Sequence, residues 1–200
     1  MFTNNYINFK FNMFTGLYSG ETLSTQYGEI DGKYFVGVDG ASVRMGYESY
    51  GQSLDIGQAM RKPRCQAITV PSSVNIDAIR NNYCGIYFGS GSTPATKDDY
   101  TLANPITTGL TVSGGIEKVG DFSDGKAEIT GRYVLLNTTE SEINIWEIGC
   151  FTPMIVHGSS KYYKLLMMER TVLSEPITIA PGTASVVTYK LTFNQTLNVE

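Results

Sequence analysis

Near the end of the chain, apolar and polar side chains alternate in a pattern that few folds can accommodate. Residues 187–193 carry apolar side chains at every second position, with Thr188, Lys190 and Thr192 between them. A period of two over this length is typical of a β-strand with one face buried and the other in solvent. The segment 180–183 reads Ala-Pro-Gly-Thr and places proline and glycine where tight turns use them. This region therefore predicts short strands joined by a tight turn.

The same signature recurs along the chain, which predicts about ten strands at short spacing. Gly114–Gly115 and Asp124–Gly125 are predicted to be turns of a glycine-rich hairpin. Few helical patterns and no internal repeat accompany the strands. We therefore predict an all-β fold, specifically an antiparallel β-sandwich that is jelly-roll-like or immunoglobulin-like. The predicted strands are residues 7–13, 34–38, 66–70, 83–88, 105–113, 127–137, 143–150, 165–170, 176–179 and 187–194.

The predicted core draws on the strands of the second half. Cys84 and Cys150 lie in apolar runs and are predicted to be small core residues rather than disulfide partners. The chain has three cysteines and one histidine without ligand spacing, so no structural metal or other cofactor is expected. The apolar side chains predicted to be buried together are Trp146, Ile148, Leu166, Ile179, Tyr189 and Leu191.

Two regions with different character divide the chain. Residues 61–200 are predicted to form the β-sandwich domain, whereas residues 1–60 are aromatic, rich in glycine and irregular. We interpret 1–60 as an N-terminal arm with irregular strands, packed on the main domain or on a neighbouring chain. Phe9, Phe11 and Phe14 are the candidate anchors of such a contact, because aromatic side chains supply large apolar contact areas. The alternative is that the arm completes its own domain.

Composition and charge exclude several function classes. Charged residues make up only 17% of the chain, and the net charge is -4. A nucleic-acid-binding protein would show a basic face, so no nucleic-acid partner is expected. No apolar run is long enough to span a membrane, and the N-terminus lacks the pattern of a secretory leader. We therefore expect neither a membrane association nor export as a free protein.

A long loop between predicted strands, residues 89–104, contains the densest charge cluster. Its Gly89–Ser92 segment resembles a phosphate-binding turn only superficially, because no helix pattern or Gly-Lys-Ser/Thr motif follows it. Asp98 and Asp99 suggest a calcium site or, more simply, a carboxylate that hydrogen-bonds its own backbone. Structureless loops of this length are uncommon unless they have a function. Asp98, Asp99 and Tyr100 are therefore candidate interaction residues.

Acidic residues in the second half of the chain are candidate catalytic groups. Glu140, Glu142 and Glu147 lie near Trp146, and paired carboxylates beside an aromatic platform could hydrolyse glycosidic bonds. A core tryptophan with edge glutamates explains the same pattern more simply. No serine lies in a nucleophile-elbow motif. We therefore predict no enzymatic activity and no catalytic residues.

One charge pair is predicted from burial. Arg170 closes the apolar run 165–168, where an unpaired charge would be costly. Glu147 lies on the preceding predicted strand and is the expected partner of Arg170. This predicted pair is structural rather than catalytic.

Several of these segments, taken in order, resemble a known group of proteins. A strand ending in a glycine loop precedes TPATKDDYTLANPI, a strand ending in EIGCF, and the final stretch LLMMERTVLSEPITIAPGTASVVTYKLTF. This order over residues 83–193 resembles small virion proteins of tailed bacteriophages, which are components of heads, necks and tails. The resemblance implies a particle component that docks on other virion proteins and on copies of itself. The resemblance does not name the place in the particle. We expect a component of a neck or tail ring, a collar or a capsid decoration, located in the virion and assembled in the host cytoplasm.

A second function remains open at this point. A receptor- or carbohydrate-binding module of a tail fibre or tail tip would use surface aromatic residues such as Tyr47, Tyr50 and Trp146. Glycan binding by the purified chain would distinguish this function from a purely structural one.

Overall fold

Nine strands form the framework of the described part of the chain. The computed structural model describes residues 1–3, 35–40, 42–43, 59–68, 82–119, 126–156 and 162–194. Almost all regular structure in these segments is β-strand, which confirms the all-β prediction. The strands are β1 (Phe35–Val36), β2 (Ser42–Val43), β3 (Pro63–Arg64), β4 (Gly85–Gly89), β5 (Leu110–Val119), β6 (Lys126–Asn137), β7 (Ile143–Val156), β8 (Tyr162–Ile179) and β9 (Ala184–Asn194).

Two larger sheets and one small hairpin contain these strands. The four-stranded sheet has the order β3-β4-β7-β8, in which β3 is parallel to β4 and the other pairs are antiparallel. The three-stranded sheet has the order β5-β6-β9 and is antiparallel throughout. The hairpin pairs β1 with β2, and the amide of Gly40 donates to Gly37 O at 2.8 Å in its turn. Asp39–Gly40 therefore lies in the tight turn of this hairpin.

A main core is shared by the two larger sheets. It contains alternate side chains of β4 and β7 from one sheet and of β6 and β9 from the other. A second cluster lies on the opposite face of the four-stranded sheet. Tyr87 of this cluster lies between Ile86 and Phe88 of the main core, and successive residues of a strand point to opposite faces. Its buried members are Ile68, Tyr87, Leu102, Phe151, Leu165 and Met167.

The alternation predicted for the last strand is confirmed. Val187, Tyr189 and Leu191 are buried in the main core, while Thr188 and Lys190 are exposed. The turn before β9 also has the predicted form, with the Thr183 amide donating to Ala180 O at 3.1 Å. Cys84 and Cys150 are buried free thiols, as predicted, and burial raises the pKa of Cys150.

Four predictions of local structure need correction. The two strands predicted at 165–170 and 176–179 are parts of one continuous strand, β8. Gly114–Gly115 lies inside β5 rather than in a turn, and a Cβ at Gly114 would collide with Arg132 O of the neighbouring strand. The described residues 66–68 are not a strand, and the short strand there is β3. Trp146 is half-buried and outside the main core, because the β7–β8 register shifts between Ile145 and Glu147. The other five predicted core residues, Ile148, Leu166, Ile179, Tyr189 and Leu191, are buried.

Described residues of the N-terminal region contact the β domain. Thr3 is fully buried beside β8, where its amide donates to Met168 O and its hydroxyl donates to Met167 O. Ala59 and Met60 lie in the main core. These short segments pack on their own chain. In the described residues, no helix has the length and apolar character needed to cross a membrane.

Candidate functional site

A buried carboxylate and a buried guanidinium lie side by side on the four-stranded sheet. Glu147 on β7 faces Gly89 of β4, and Arg170 on β8 faces Gly149 of β7. Because Glu147 and Gly149 are two residues apart on one strand, both charged side chains lie on the same sheet face. Glu147 is 0% exposed and Arg170 is 2% exposed.

Arg170 uses three of its nitrogens to connect the sheet with the loop 89–104. Its Nε donates to Glu147 Oε2 at 2.8 Å, which confirms the predicted ion pair. Its Nη1 donates to Asp99 Oδ2 at 2.7 Å, and its Nη2 donates to Thr93 O at 3.0 Å. We call Glu147, Arg170 and Asp99 the loop anchor. The guanidinium suits this role because its fixed fork of donors engages several acceptors at once.

The Glu147 carboxylate also binds both ends of the loop. It accepts hydrogen bonds from the amides of Gly91 at 3.2 Å, Ala103 at 3.0 Å and Asn104 at 2.8 Å. Charge-assisted bonds of this kind are stronger than neutral ones. One side chain therefore holds the start and the end of the loop together.

Glycine is required where the loop approaches the carboxylate. A Cβ at Gly91 would lie 2.6 Å from Glu147 Oε1, and a Cβ at Gly89 would collide with the same oxygen. The glycines that resembled a phosphate turn in the sequence therefore make room for the chain's own carboxylate. The loop amides that could hold an anion bind Glu147.

Asp99 completes the loop anchor from within a tight turn. Its carboxylate accepts bonds from the Thr96 amide at 2.9 Å and from the Thr96 hydroxyl at 2.8 Å. Burial alone would raise the pKa of Asp99, but the bonds from Thr96 and Arg170 outweigh it and lower the pKa. This is the backbone-binding role considered for the Asp98–Asp99 pair. In the described residues, no group of three or more His, Cys, Asp or Glu side chains is placed to hold a metal ion.

The other two candidate interaction residues of the loop, Asp98 and Tyr100, are exposed and are not members of the loop anchor. Asp98 is exposed, and Tyr100 is 40% exposed. The Tyr100 ring lies beside the β1–β2 turn, since a Cβ at Gly40 would be 3.4 Å from it. The predicted anchors lie outside the described residues: Phe9, Phe11 and Phe14.

The three glutamates considered for catalysis occupy different environments. Glu140 and Glu142 are exposed, and Glu142 accepts a bond from Asn144 Nδ2 at 3.0 Å. Glu147 is closed off from solvent in the loop anchor. Of the three glutamates, Glu147 is therefore the one whose carboxylate makes buried contacts within its own chain.

A second buried carboxylate, Glu169, was missed by the sequence reasoning. Its Oε1 accepts bonds from the Met1 amine at 2.7 Å and the Thr171 hydroxyl at 2.7 Å. Its Oε2 is buried without a hydrogen-bond partner among the described residues. Burial raises the pKa of Glu169, and the Met1 amine and Thr171 offset part of this effect. No local pattern predicts this contact, because its partners are at opposite ends of the chain.

Comparisons of the chain with protein-family models, curated proteins and solved structures find no match. Function must therefore be argued from the geometry. The loop anchor uses its ionisable groups to hold one loop conformation. Such an arrangement can present a rigid surface, because the side chains of Glu147 and Arg170 that hold the loop are themselves buried.

Proposed function

We propose that this chain is a structural protein of a tailed bacteriophage virion, which assembles with copies of itself and docks on other particle proteins. The segment order over residues 83–193 supports this proposal through its resemblance to small virion proteins. A neck or tail ring, a collar and a capsid decoration all fit such a component. Under this proposal the two larger sheets form a β-sandwich of jelly-roll-like or immunoglobulin-like type, and the chain has no enzymatic activity.

The observation that carries the proposal is the loop anchor. Burying an ion pair often brings little net stability, because removing both charges from water is costly. Retaining Glu147 and Arg170 at the base of a long loop is therefore best explained by the need for one defined loop conformation. A loop without secondary structure that is fixed in this way is typical of recognition surfaces.

The surface that this loop presents has the chemistry of a protein contact. Tyr100 has an aromatic ring with few rotatable bonds and is 40% exposed, and Asp98, two residues earlier in the loop, is exposed and charged. Tyrosine is enriched among residues that dominate binding energy at protein interfaces. The arm residues Phe9, Phe11 and Phe14 would add apolar anchors to a neighbouring copy or partner.

Locating the chain in phage particles tests the proposal directly. Particles of the phage that encodes the chain would be purified by density gradient and imaged by cryo-electron microscopy, with a tagged copy to locate the density. We expect symmetric copies at the head, neck or tail, at constant stoichiometry between preparations. Recovery of the chain only from the unassembled fraction of the lysate would contradict the proposal.

The contributing surfaces can be separated by substitution. Tyr100→Ala combined with Asp98→Ala changes the loop surface without touching the loop anchor, so the chain should fold but enter particles less efficiently. Exchanging Phe9, Phe11 and Phe14 for Ala tests the arm while leaving the buried Thr3 in place. The matched control is Thr111→Ala on the exposed face of β5, which should assemble normally. If the loop variant and the arm variant enter particles as efficiently as the Thr111→Ala control, neither the loop surface nor the arm is needed for assembly.

A carbohydrate-binding module is the second candidate function. The partial exposure of Trp146 favours it, because a core tryptophan could not stack on a sugar ring. A glycan array probed with the wild-type chain and with Trp146→Ala would test this alternative. Binding that the substitution abolishes would support a receptor-binding role, whereas the structural proposal expects no glycan signal.

A further inference from the structure

The outer edge of the three-stranded sheet is a long strand with few protective features. β9 pairs with β6 on one side, and no strand within the described segments pairs with it on the other. Its 11 residues include one charged side chain, Lys190, and neither a proline nor a register shift. Proteins usually block such edges with charges, prolines or bulges, because an open edge can pair with another chain.

The one charged side chain of β9 forms an ion pair within its own sheet. Lys190 Nζ lies 3.0 Å from Glu128 Oε1, and Glu128 is on the neighbouring strand β6. A lysine that pairs across the sheet in this way leaves the backbone edge beside it accessible. The usual protective effect of an edge lysine is therefore weakened here.

The register defines which backbone groups of β9 point away from β6. The Asn137 amide donates to Thr183 O at 2.9 Å, and the β6–β9 register continues from this pair without a shift. Antiparallel ladders alternate between bonded and non-bonded pairs. The odd-numbered residues of β9 therefore bond to β6, and the even-numbered ones direct their N–H and C=O groups outward. The outward residues are Ala184, Val186, Thr188, Lys190 and Thr192, with Asn194 at the end of the strand.

An apolar patch adjoins this edge. Three of the five exposed large apolar side chains among the described residues are Val134, Leu136 and Val186. Val134 and Val186 are direct cross-strand partners. Val186 is 54% exposed and is itself one of the outward-bonding residues of β9. The open backbone and the exposed apolar surface thus meet at one edge.

We propose that two copies of this chain pair through β9, antiparallel about a twofold axis near Thr188. This pairing joins the two three-stranded sheets into one continuous sheet and forms about ten main-chain hydrogen bonds. It places Lys190 opposite Val186 of the second copy. Lys190, the only charged residue of the strand, therefore does not lie opposite Lys190 of the second copy. Two like charges directly across a sheet would be unfavourable.

A second copy is the occupant that the sequence of β9 favours. About this axis the outward-bonding residues from Ala184 to Thr192 meet one another, so this part of β9 is complementary to itself. The exposed side chain of Val186 becomes covered by the aliphatic stem of a lysine, which suits an apolar contact. This pairing is the self-contact within the proposed assembly function and rests on that function. It is tested on the purified chain alone.

Analytical ultracentrifugation over a wide concentration range measures the pairing. We expect the wild-type chain to sediment as a dimer and Val186→Lys to sediment as a monomer, because the new lysine faces Lys190 of the second copy. Val134→Lys is the matched control, since it adds the same charge to the same apolar patch on a central strand. It should remain dimeric. Dissociation of Val134→Lys to the same extent would indicate docking through the sheet face and overturn edge pairing.

A proline substitution and hydrogen exchange test the main-chain hydrogen bonds of β9 directly. Thr188→Pro removes an outward N–H without removing a bond to β6, so it should also give monomers. If Thr188→Pro fails to fold, Val186→Lys decides the matter, with circular dichroism and thermal melting as the check of folding. Hydrogen exchange should show the amides of Val186, Thr188 and Lys190 protected in the wild type and unprotected in Val186→Lys. A wild-type chain that is monomeric throughout, or a dimer that neither variant weakens, would overturn the proposal.

The two proposals can fail separately. A monomeric purified chain that is nevertheless found at symmetric positions in particles would overturn only β9 pairing. A dimer sensitive to Val186→Lys that never enters particles would overturn only the virion function.

Discussion

The two larger sheets of this protein cover their strands differently. In the three-stranded sheet one face is in the core, and residues 131–137 of β6 alternate strictly between buried and exposed. In the four-stranded sheet both faces are covered, so residues 85–89 of β4 and 147–153 of β7 are all buried. The four-stranded sheet therefore holds other parts of the chain in place, whereas the three-stranded sheet leaves one of its faces exposed to solvent. The covered sheet fixes the loop 89–104, and the half-open sheet offers an edge and a face.

Charged residues follow the same division. The four-stranded sheet buries Glu147 and Arg170 and joins them to the loop. The three-stranded sheet keeps its ion pairs in solvent, and the Arg132 to Glu117 contact is 3.8 Å long with both side chains more than half exposed. Removing one partner should therefore cost much more stability at the buried pair than at the exposed pair.

The largest expected effect comes from removing the guanidinium of the loop anchor. Arg170→Met leaves Glu147 and Asp99 without their cation, and should lower the free energy of unfolding by about 3–5 kcal/mol. Arg132→Met is the matched control, because it removes an exposed arginine and should cost less than about 1 kcal/mol. Urea denaturation followed by fluorescence measures both. Equal losses for the two variants would show that the buried network is not what distinguishes the sheets.

The next effect compares the two faces within the three-stranded sheet. Leu191→Ala empties a site that is 4% exposed in the main core, and should cost about 2–5 kcal/mol. Leu136→Ala makes the same chemical change on the outer face, where the side chain is 36% exposed, and should cost about 1 kcal/mol or less. Thermal melting of both variants provides the comparison. A Leu191→Ala loss below about half a kcal/mol would place that face in solvent.

The two sheets also differ in how well the sequence predicts them. β9 was predicted from its alternation, because one face of the strand is in solvent and the polar residues record it. In the four-stranded sheet the apolar runs predict strands but not which residues face which side, since both faces are buried. Trp146 was placed in the core for this reason, and the register shift beside it could not be read from local pattern.

The candidate site was predicted in part. The Glu147–Arg170 pair follows from the cost of a buried charge, an argument that needs only neighbouring strands. The participation of Asp99 and the loop amides depends on how the loop folds back, which no spacing in the sequence specifies. The contact of Glu169 with the first residues of the chain depends on pairing between distant segments, so it too required the structure.

A smaller effect tests the loop end of the anchor. Asp99→Asn should lower the free energy of unfolding near neutral pH by about 1–2 kcal/mol, because Arg170 and Thr96 lose a charged acceptor. The lowered pKa of Asp99 means that its contribution is complete above its ordinary value of 3.8 and is lost as the pH falls through the folded value. The wild type and the variant should therefore converge in acid. Glu140→Gln, which neutralises an exposed carboxylate outside the loop, is the control, and a matching loss for it would contradict the assignment.

The smallest effect concerns Glu169, whose pH dependence should have the opposite sign. Its raised pKa means that the folded protein keeps this proton to a higher pH than the unfolded chain does. Stability from this group is therefore greatest below its ordinary value of 4.5 and falls as the pH rises through the folded value. Glu169→Gln should remove that decline in a series of urea denaturation curves measured upward from pH 4.5. Thr171→Val sharpens the test: the Thr171 hydroxyl donates to Glu169 and lowers its pKa, so without it the decline should extend to higher pH. A decline that persists in Glu169→Gln, or that moves to lower pH in Thr171→Val, would assign the dependence to another group.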